Sequence, residues 1–356
     1  MTRKIGIFSM AASFIGSMIG AGFVSGQELW LYFGSYGKSG FFGLFVSVFL
    51  LSAVTMLVFR IAVRTGAASP DTVLFSPGCP AVLRKVFGAV FLLFYFCVTT
   101  VMLAGVSALG VQLLGMPRYL GGLIAAILIM AVTYFGLRGM TIVFDFCIPV
   151  LVVSTILISL IRLRSAGLSP VVFPEIRTGT GLLRGNYLSS AVNYASYNIF
   201  ASIGILSPLA PFLKSERSAC IGSAAGGIFL ALIAGFILLA LCSSPESIAA
   251  DLPMMDLAIR MGSIFAVSYG ILLFLGMFGS GMSTLVAMNS FLQNRFPFLN
   301  SHRLSLLLVT GTASYLLSLC GFTDLVGTVY PVMGYVGFAS VFLVILRITG
   351  LRKCVR

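Results

Sequence analysis

The chain has 356 residues, of which 59% are hydrophobic and only 9% are charged, and its mean hydropathy is +1.10. A soluble domain has roughly a quarter of its residues charged, so this composition excludes a soluble globule and predicts a polytopic membrane protein. The net charge of +13 does not indicate nucleic-acid binding, because the basic residues lie between apolar runs, where they orient a chain in the bilayer.

Apolar runs bounded by charged and turn residues predict ten membrane spans. A run of about 20 residues is long enough to cross a hydrocarbon core of about 30 Å. The first run follows basic residues as a signal peptide does, but its apolar pattern continues past the length of a signal-peptide core, so we interpret it as a span. The predicted spans are residues 5–33, 40–63, 86–114, 119–137, 141–161, 187–213, 218–242, 262–292, 303–320 and 324–347.

Ten spans place both termini on one side of the membrane. Fifteen of the 22 Lys and Arg residues fall on that side and seven on the other, which predicts cytoplasmic termini. Ten spans also divide into five plus five within one transmembrane domain, residues 1–356. An odd number per half predicts that the second half, about 187–347, is inverted relative to the first, about 1–161. Inverted repeats place a substrate site between the halves, at discontinuous helices.

The first span carries four glycines within eleven residues: Gly16, Gly20, Gly22 and Gly26. Each glycine weakens a helix by about 1 kcal/mol relative to alanine, and an unwound turn is tolerated in the membrane where its backbone faces a cavity. We therefore predict an interruption around Gly20–Gly26. The alternative is a close helix–helix contact, since small residues spaced four apart also allow backbones to pack.

Glu28, with Gln27 beside it, directly follows these glycines. A carboxylate near the membrane midplane costs at least about 2.5 kcal/mol, so it indicates a function. It is placed to bind a cation, to accept a proton, or to cap a second half-helix, whose first N–H groups favour a negative charge. The sequence leaves these three roles open.

The sixth span carries a second group of polar residues at mid-membrane depth. These residues predict a second break around Tyr197–Gly204, related to the first by the inverted repeat. The alternative is a polar helix face packed inside the bundle, which we prefer for Asn193. The polar residues that we assign to the site are Tyr194, Tyr197, Asn198 and Ser202.

The eighth span places Ser280, Ser283 and Thr284 at positions i, i+3 and i+4, hence on one helical face. Their hydroxyls are hard oxygen ligands suited to a small cation, or they bond the carbonyls of their own helix. Tyr95 and Tyr330 are further candidates to line a cavity. The seven cysteines form no CxxC pair, and no catalytic constellation is visible, so we expect no enzymatic activity.

The stretch Ile15–Glu28, IGSMIGAGFVSGQE, resembles the glycine-broken first helix of the amino acid–polyamine–organocation superfamily. Its GAGFVSGQE part is similar to the YkvI-like bacterial membrane proteins. The resemblance implies an all-α protein with the leucine-transporter fold: ten transmembrane helices, a five-plus-five inverted repeat, and broken helices 1 and 6. It also implies a bacterial inner (plasma) membrane location.

The resemblance further implies a central site between spans 1, 3, 6, 8 and 10. The backbone amides of Gly20, Ala21 and Gly22 match those that hold a substrate carboxylate in the superfamily. In its sodium-coupled members one sodium ion lies between the first and eighth spans. The matching positions of this chain are Gly16, Ile19, Ser280, Ser283 and Thr284.

These observations predict a secondary active transporter that moves a small amino acid or related amine by alternating access. The coupling ion is Na+ or H+, with no other cofactor and no obligatory protein partner. Glu28 departs from the superfamily pattern, which leaves open whether it carries a proton or pairs with an amine. The alternative function is a non-transporting receptor that senses an amino acid, resembling germination permease-like subunits.

Overall fold

The computed structural model of the chain describes residues 6–66, 70–75, 79–135, 140–166, 185–206, 212–213 and 215–349. Within these ranges, six helices are long and apolar enough to cross a membrane: α4, α6, α7, α10, α12 and α14 in the numbering that follows. The helices are α1 (Ile7–Met18), α2 (Ala21–Val24), α3 (Gln27–Tyr32), α4 (Lys38–Thr65), α5 (Pro70–Leu74), α6 (Ala81–Leu114), α7 (Arg118–Phe135), α8 (Met140–Ala166), α9 (Tyr187–Leu206), α10 (Glu216–Cys242), α11 (Pro253–Met261), α12 (Ser263–Arg295), α13 (Arg303–Ser318) and α14 (Phe322–Thr349).

The first predicted span is divided into three short helices. α1 ends at Met18, where Ile19 turns to an extended conformation, and α2 begins two residues later. A second interruption separates α2 from α3, because Gly26 has a left-handed φ of +81°, a conformation that side chains other than glycine adopt at a cost. The predicted interruption around Gly20–Gly26 is therefore confirmed.

The sixth predicted span is not broken where the sequence analysis placed a break. α9 runs without interruption from Tyr187 to Leu206, so the prediction of a break around Tyr197–Gly204 is wrong. The Ser196 hydroxyl donates to the Val192 carbonyl (2.7 Å) and the Asn198 amide to the Tyr194 carbonyl (3.1 Å). Because such bonds satisfy polar side chains on the helix itself, these residues do not require an unwound backbone.

The helices form two packed sets. α1 and α4 both pack against α9 and α10, while α6 packs against α7, α12 and α13. α14 lies between the two sets, in contact with α9 and α6, and α8 contacts α10 and α12. The leading helices of the two predicted halves, α1 and α9, are therefore neighbours. The repeat itself and the ten-span count stay predictions.

Basic residues mark the two ends of the bundle. At the start of α10, Arg60 donates to the carboxylate of Glu216. Beyond the other end of α10, a guanidinium nitrogen of Arg162 lies 3.9 Å from Glu246. With cytoplasmic termini, the second predicted span ends on the cytoplasmic side and the fifth ends on the opposite side. The structure places Arg60, from the second span, and Arg162, just after the fifth, at opposite ends. Following the predicted orientation, we call the Glu216 end the inner end and the Glu246 end the outer end.

A close backbone contact joins α14 to α9 at Gly337, where an added Cβ would collide with the carbonyl oxygen of Ser196. We expect Gly337→Ala to lower the unfolding temperature in detergent, because overpacking a tight contact costs about 1–3 kcal/mol. Gly235→Ala in α10 is the matched control, since no described atom lies within 4 Å of its added Cβ. Equal unfolding temperatures for the two variants would contradict this close contact.

Candidate functional site

The break after α1 exposes backbone groups beside open space. No described heavy atom lies within 4 Å of the position that a Cβ would take at Gly16 or at Gly20. The N–H of Gly20 donates to the Met18 carbonyl (3.1 Å). The N–H groups of Ala21 and Gly22 open α2 and have no acceptor within their own helix. Two of the three amides predicted to hold a substrate carboxylate are thus available to an external acceptor.

Glu28 lies in the first turn of α3 and is buried, with 3% of its surface exposed. The hydroxyl of Tyr197 on α9 donates to its Oε1. Its Oε2 faces the break, since an added Cβ at Gly22 would lie 2.7 Å from it. None of the ion pairs among the described residues includes Glu28. The Glu28 carboxyl group of α3 therefore contacts both the break and α9, and its partners in both are neutral.

Four tyrosines surround this carboxyl group, and we call them the tyrosine cluster: Tyr32, Tyr194, Tyr197 and Tyr330. The rings of Tyr197 and Tyr330 stack with centroids 5.0 Å apart, and Tyr194 meets Tyr197 edge-on at 5.5 Å. The buried hydroxyl of Tyr194 faces the same carboxyl but makes no ordinary hydrogen bond to a described residue. The cluster therefore contains one unsatisfied hydroxyl directly beside Glu28.

Asn193 fixes the cluster in place. Its Oδ1 accepts the Tyr32 hydroxyl at 3.1 Å, and its Nδ2 donates to the Pro331 carbonyl at 3.0 Å. The Ser190 hydroxyl also donates to the Tyr32 carbonyl at 2.7 Å. These bonds tie α3, α9 and α14 together, and they confirm the interpretation of Asn193 as a packed polar residue.

A series of polar side-chain contacts, which the sequence did not predict, leads from the site towards the outer end. The Gln27 amide donates to the Thr323 hydroxyl (3.3 Å), and that hydroxyl donates to Asp251 (2.7 Å). Arg118 pairs with the other oxygen of Asp251 at 2.7 Å. The four residues are remote in sequence and lie in four different segments, so no spacing rule signalled their contact. The Oε1 of Gln27 is buried and has no described hydrogen-bond partner.

The segment 243–261, which we call the outer cover, lies over the break. The N–H of Met254 donates to the Ser25 carbonyl at 2.9 Å, and the N–H of Leu252 donates to Gln112 at 3.1 Å. Met254 and Leu252 have no exposed surface. α11 belongs to this segment, and its apolar residues are buried against the bundle. The outer end is therefore closed above the site.

Three predicted site residues lie apart from Glu28 or are already bonded. Tyr95 lines a cavity of about 720 Å³ between α5, α6 and α12 at the inner end. The side chains of Asn198 and Ser202 bond carbonyls of their own helix. The predicted residues that do gather at the break are Gly20, Gly22, Glu28, Tyr194 and Tyr197, whereas the side chain of Ala21 is outside the described part.

Among the residues predicted to bind sodium, no described hydrogen bond joins those of the first span to those of the eighth. The Thr284 hydroxyl donates to the Ser280 carbonyl (2.9 Å) and shares a hydrogen bond with Thr99 (2.8 Å). Ser283 is exposed, and the space beside Gly16 is open. In this structure the Thr284 hydroxyl bonds a carbonyl of its own helix, which is the alternative given for these hydroxyls in the sequence. The sodium site stays a prediction. The described residues also include no group of three or more His, Cys, Asp or Glu placed to hold a metal ion.

Comparison with curated proteins finds two relatives that align along most of the chain. The "uncharacterized membrane protein YkvI" of Bacillus subtilis (strain 168) is 28% identical over 336 residues, which cover 93% of both proteins. The "uncharacterized protein YyaD" of the same organism is 25% identical over 324 residues, 90% of both. No protein-family model matches the chain.

Several solved structures align with the chain along most of its length at low sequence identity. The inward-facing conformation of Mhp1 matches 97% of the chain and 76% of its own length, with a TM-score of 0.65 and 13% identity. A substrate-bound, outward-open Na+-coupled sialic acid symporter matches 97% of the chain and 79% of its own length, with a TM-score of 0.61 and 13% identity. A manganese transporter of Eremococcus coleocola matches 96% of the chain and 78% of its own length, with a TM-score of 0.55 and 13% identity. These neighbours have the leucine-transporter fold, and the chain is a multi-pass membrane protein with that fold.

Proposed function

We propose that the chain is an ion-coupled secondary transporter that carries a small amino acid or related amine by alternating access. The observation that carries the proposal is the interrupted first span, whose break ends at a buried carboxyl group. Such a group is costly in a membrane protein and marks substrate or ion pathways. Broken helices with free backbone groups at mid-membrane depth are typical of secondary transporters.

The arrangement of closed and open regions supports alternating access. The outer cover closes the site from one end, with Met254 bonded directly to the break. At the inner end, the cavity of about 720 Å³ reaches from Arg84 and Arg295 to Tyr95. A carrier needs access from one side at a time, and this structure combines a closed outer end with a cavity at the inner end. The similar solved structures, which are transporters, support the same function.

The substrate is proposed to bind beside the break, with its carboxylate at the N–H groups of Ala21 and Gly22. The open space at Gly16 and Gly20 adjoins these amides. The Tyr194 hydroxyl and Gln27 Oε1 are buried without a described hydrogen-bond partner, and buried polar atoms of this kind are normally bonded. A small substrate with both a carboxylate and an amino group suits this combination of donors and acceptors.

Uptake into proteoliposomes tests the proposal. We expect the purified chain to accumulate at least one member of a panel of the proteinogenic amino acids, ethanolamine and putrescine when a Na+ or H+ gradient is imposed. Liposomes without protein are the control. Specific binding without uptake under any gradient would contradict the transporter and favour the amino-acid-sensing receptor.

A further inference from the structure

The buried carboxyl group of Glu28 has no cationic partner in the described structure. An ionised carboxylate taken out of water is stable only when it is paired or strongly hydrogen-bonded, and otherwise it takes up a proton and becomes neutral. Glu28 accepts one described hydrogen bond, from Tyr197, and its Oε2 lies against the backbone of Gly22. The packing around Glu28 therefore suits a neutral carboxylic acid.

The described side chains that face Glu28 are neutral. α9 contributes Tyr194 and Tyr197, α14 contributes Tyr330, and Tyr32 and Gln27 belong to α3 itself. α10 faces the start of α3 with apolar side chains, and Cys97 of α6 lies beyond Tyr330. The charges of Asp251 and Arg118 pair with each other and connect to α3 through Thr323 and Gln27.

The Tyr194 hydroxyl is a second observation that suits a site where a proton binds and leaves. The buried Tyr194 oxygen faces Glu28 and has no other described hydrogen-bond partner that fixes its orientation. A tyrosine hydroxyl both donates and accepts, so it can donate to an ionised Glu28 and accept from a protonated one. Both protonation states of Glu28 can therefore be satisfied without a counter-ion.

Glu28 also lies where helices must separate if the outer end opens. Its carboxyl group touches the break at Gly22 and α9 at Tyr197, whose ring stacks on Tyr330 of α14. An ionised Glu28 gains hydration when these elements part, whereas a neutral Glu28 loses little by staying enclosed. The protonation state of this one group therefore biases the equilibrium between the closed outer end and an open one.

We propose that Glu28 binds the coupling proton and that this proton favours closure of the outer end. The proposal rests on the transporter function proposed above and deepens it. A proton from the outer solution forms an O–H bond with the Glu28 carboxylate, the outer end closes, and the same proton later leaves to the inner solution. The hydroxyl of Thr284, a central ligand in the predicted sodium site, is instead bonded to Thr99 and to its own helix.

Two measurements on the full-length protein test this proposal. The first is exchange (counterflow) of a labelled panel member in proteoliposomes without any ion gradient, followed by accumulation under a pH gradient or a sodium gradient. The second is the unfolding temperature in detergent as the pH is lowered from mildly alkaline to mildly acidic. Both are made on the wild type, on Glu28→Gln, and on Glu246→Gln, which removes an exposed carboxylate in the outer cover as a matched control.

We expect the wild type and Glu246→Gln to show exchange, accumulation under a pH gradient, and an unfolding temperature that rises on acidification. Glu28→Gln should keep exchange but lose accumulation and the pH-dependent rise. Accumulation driven by sodium alone in the wild type would overturn the proton site while leaving the transporter intact. Loss of exchange in a folded Glu28→Gln, judged by gel filtration, would overturn it by making Glu28 a substrate ligand.

Failure of the transporter proposal has a separate signature. If no panel member exchanges in the wild type, the proposed function fails, while the pH dependence of unfolding still tests proton binding at Glu28. If the unfolding temperature rises equally on acidification in the wild type and in Glu28→Gln, groups other than Glu28 bind the proton. That result would overturn the assignment of the site to Glu28 without reference to transport.

Discussion

Replacing Gly22 with alanine is expected to reduce substrate uptake by about tenfold or more, although the protein still folds. An added Cβ would lie 2.7 Å from Oε2 of Glu28 and 3.3 Å from the ring of Tyr330, so the carboxyl group must move away from the break. A displacement cost of about 1.4 kcal/mol corresponds to a factor of about ten, and overpacking costs about 1–3 kcal/mol. The measurement is initial uptake in proteoliposomes at matched protein content.

A matched control and a rescue make this prediction specific. Gly327→Ala on α14 adds the same methyl group near α3, but its closest described neighbour, Leu31, is at an ordinary 3.8 Å, so uptake should be unchanged. Adding Glu28→Asp to Gly22→Ala withdraws the carboxyl group by one methylene and should restore part of the uptake, since contacting residues are energetically coupled. Equal uptake by Gly22→Ala and the wild type would contradict the role of this contact.

Replacing Gly26 with alanine is expected to lower the stability for two reasons at once. Gly26 has a φ of +81°, and an added Cβ would lie 2.9 Å from Leu241 and 3.1 Å from Met254. The left-handed conformation costs a non-glycine residue about 1–2 kcal/mol, and overpacking adds about 1–3 kcal/mol. We therefore expect a markedly lower unfolding temperature in detergent.

Gly66→Ala separates the two causes. Gly66 ends α4 with a similar φ of +67°, but no described atom lies within 4 Å of its added Cβ. Only the conformational cost applies to Gly66→Ala. Its unfolding temperature should therefore fall by less than the unfolding temperature of Gly26→Ala. If the two variants lose the same stability, the contact of the break with α10 and the outer cover contributes nothing measurable.

The sequence predicted the helix positions well because burial in lipid constrains composition and length together. α4 begins and ends within two residues of its predicted span, and α10 begins within two residues and ends on the same residue. The break in the first span was predictable because glycines and a carboxylate have few other uses at that depth. These signals are local, so one sequence suffices to read them.

The failures of prediction have an equally physical origin. Asn198 and Ser202 bond carbonyls one turn away, and composition cannot distinguish a polar residue that breaks a helix from one that bonds back to it. Tyr32 was missed because nothing in its local sequence shows that it meets Tyr194 across the bundle. The chain from Gln27 to Asp251 depends on tertiary contacts between residues 296 and 72 positions apart in sequence, which spacing does not encode.

The contacts that hold the outer cover to the bundle respond differently to the surrounding solution. The hydrogen bond between Met254 and Ser25 is buried, whereas the ion pairs Arg118–Asp251 and Arg162–Glu246 are partly exposed. Dissolved salt screens exposed charges over a Debye length of about 10 Å at 0.1 M, so raising the ionic strength weakens the ion pairs and leaves the buried hydrogen bond unchanged. Any added salt therefore eases opening of the outer end, whatever ion drives transport. Stimulation by sodium chloride consequently indicates sodium coupling only where potassium chloride at the same ionic strength fails to reproduce it.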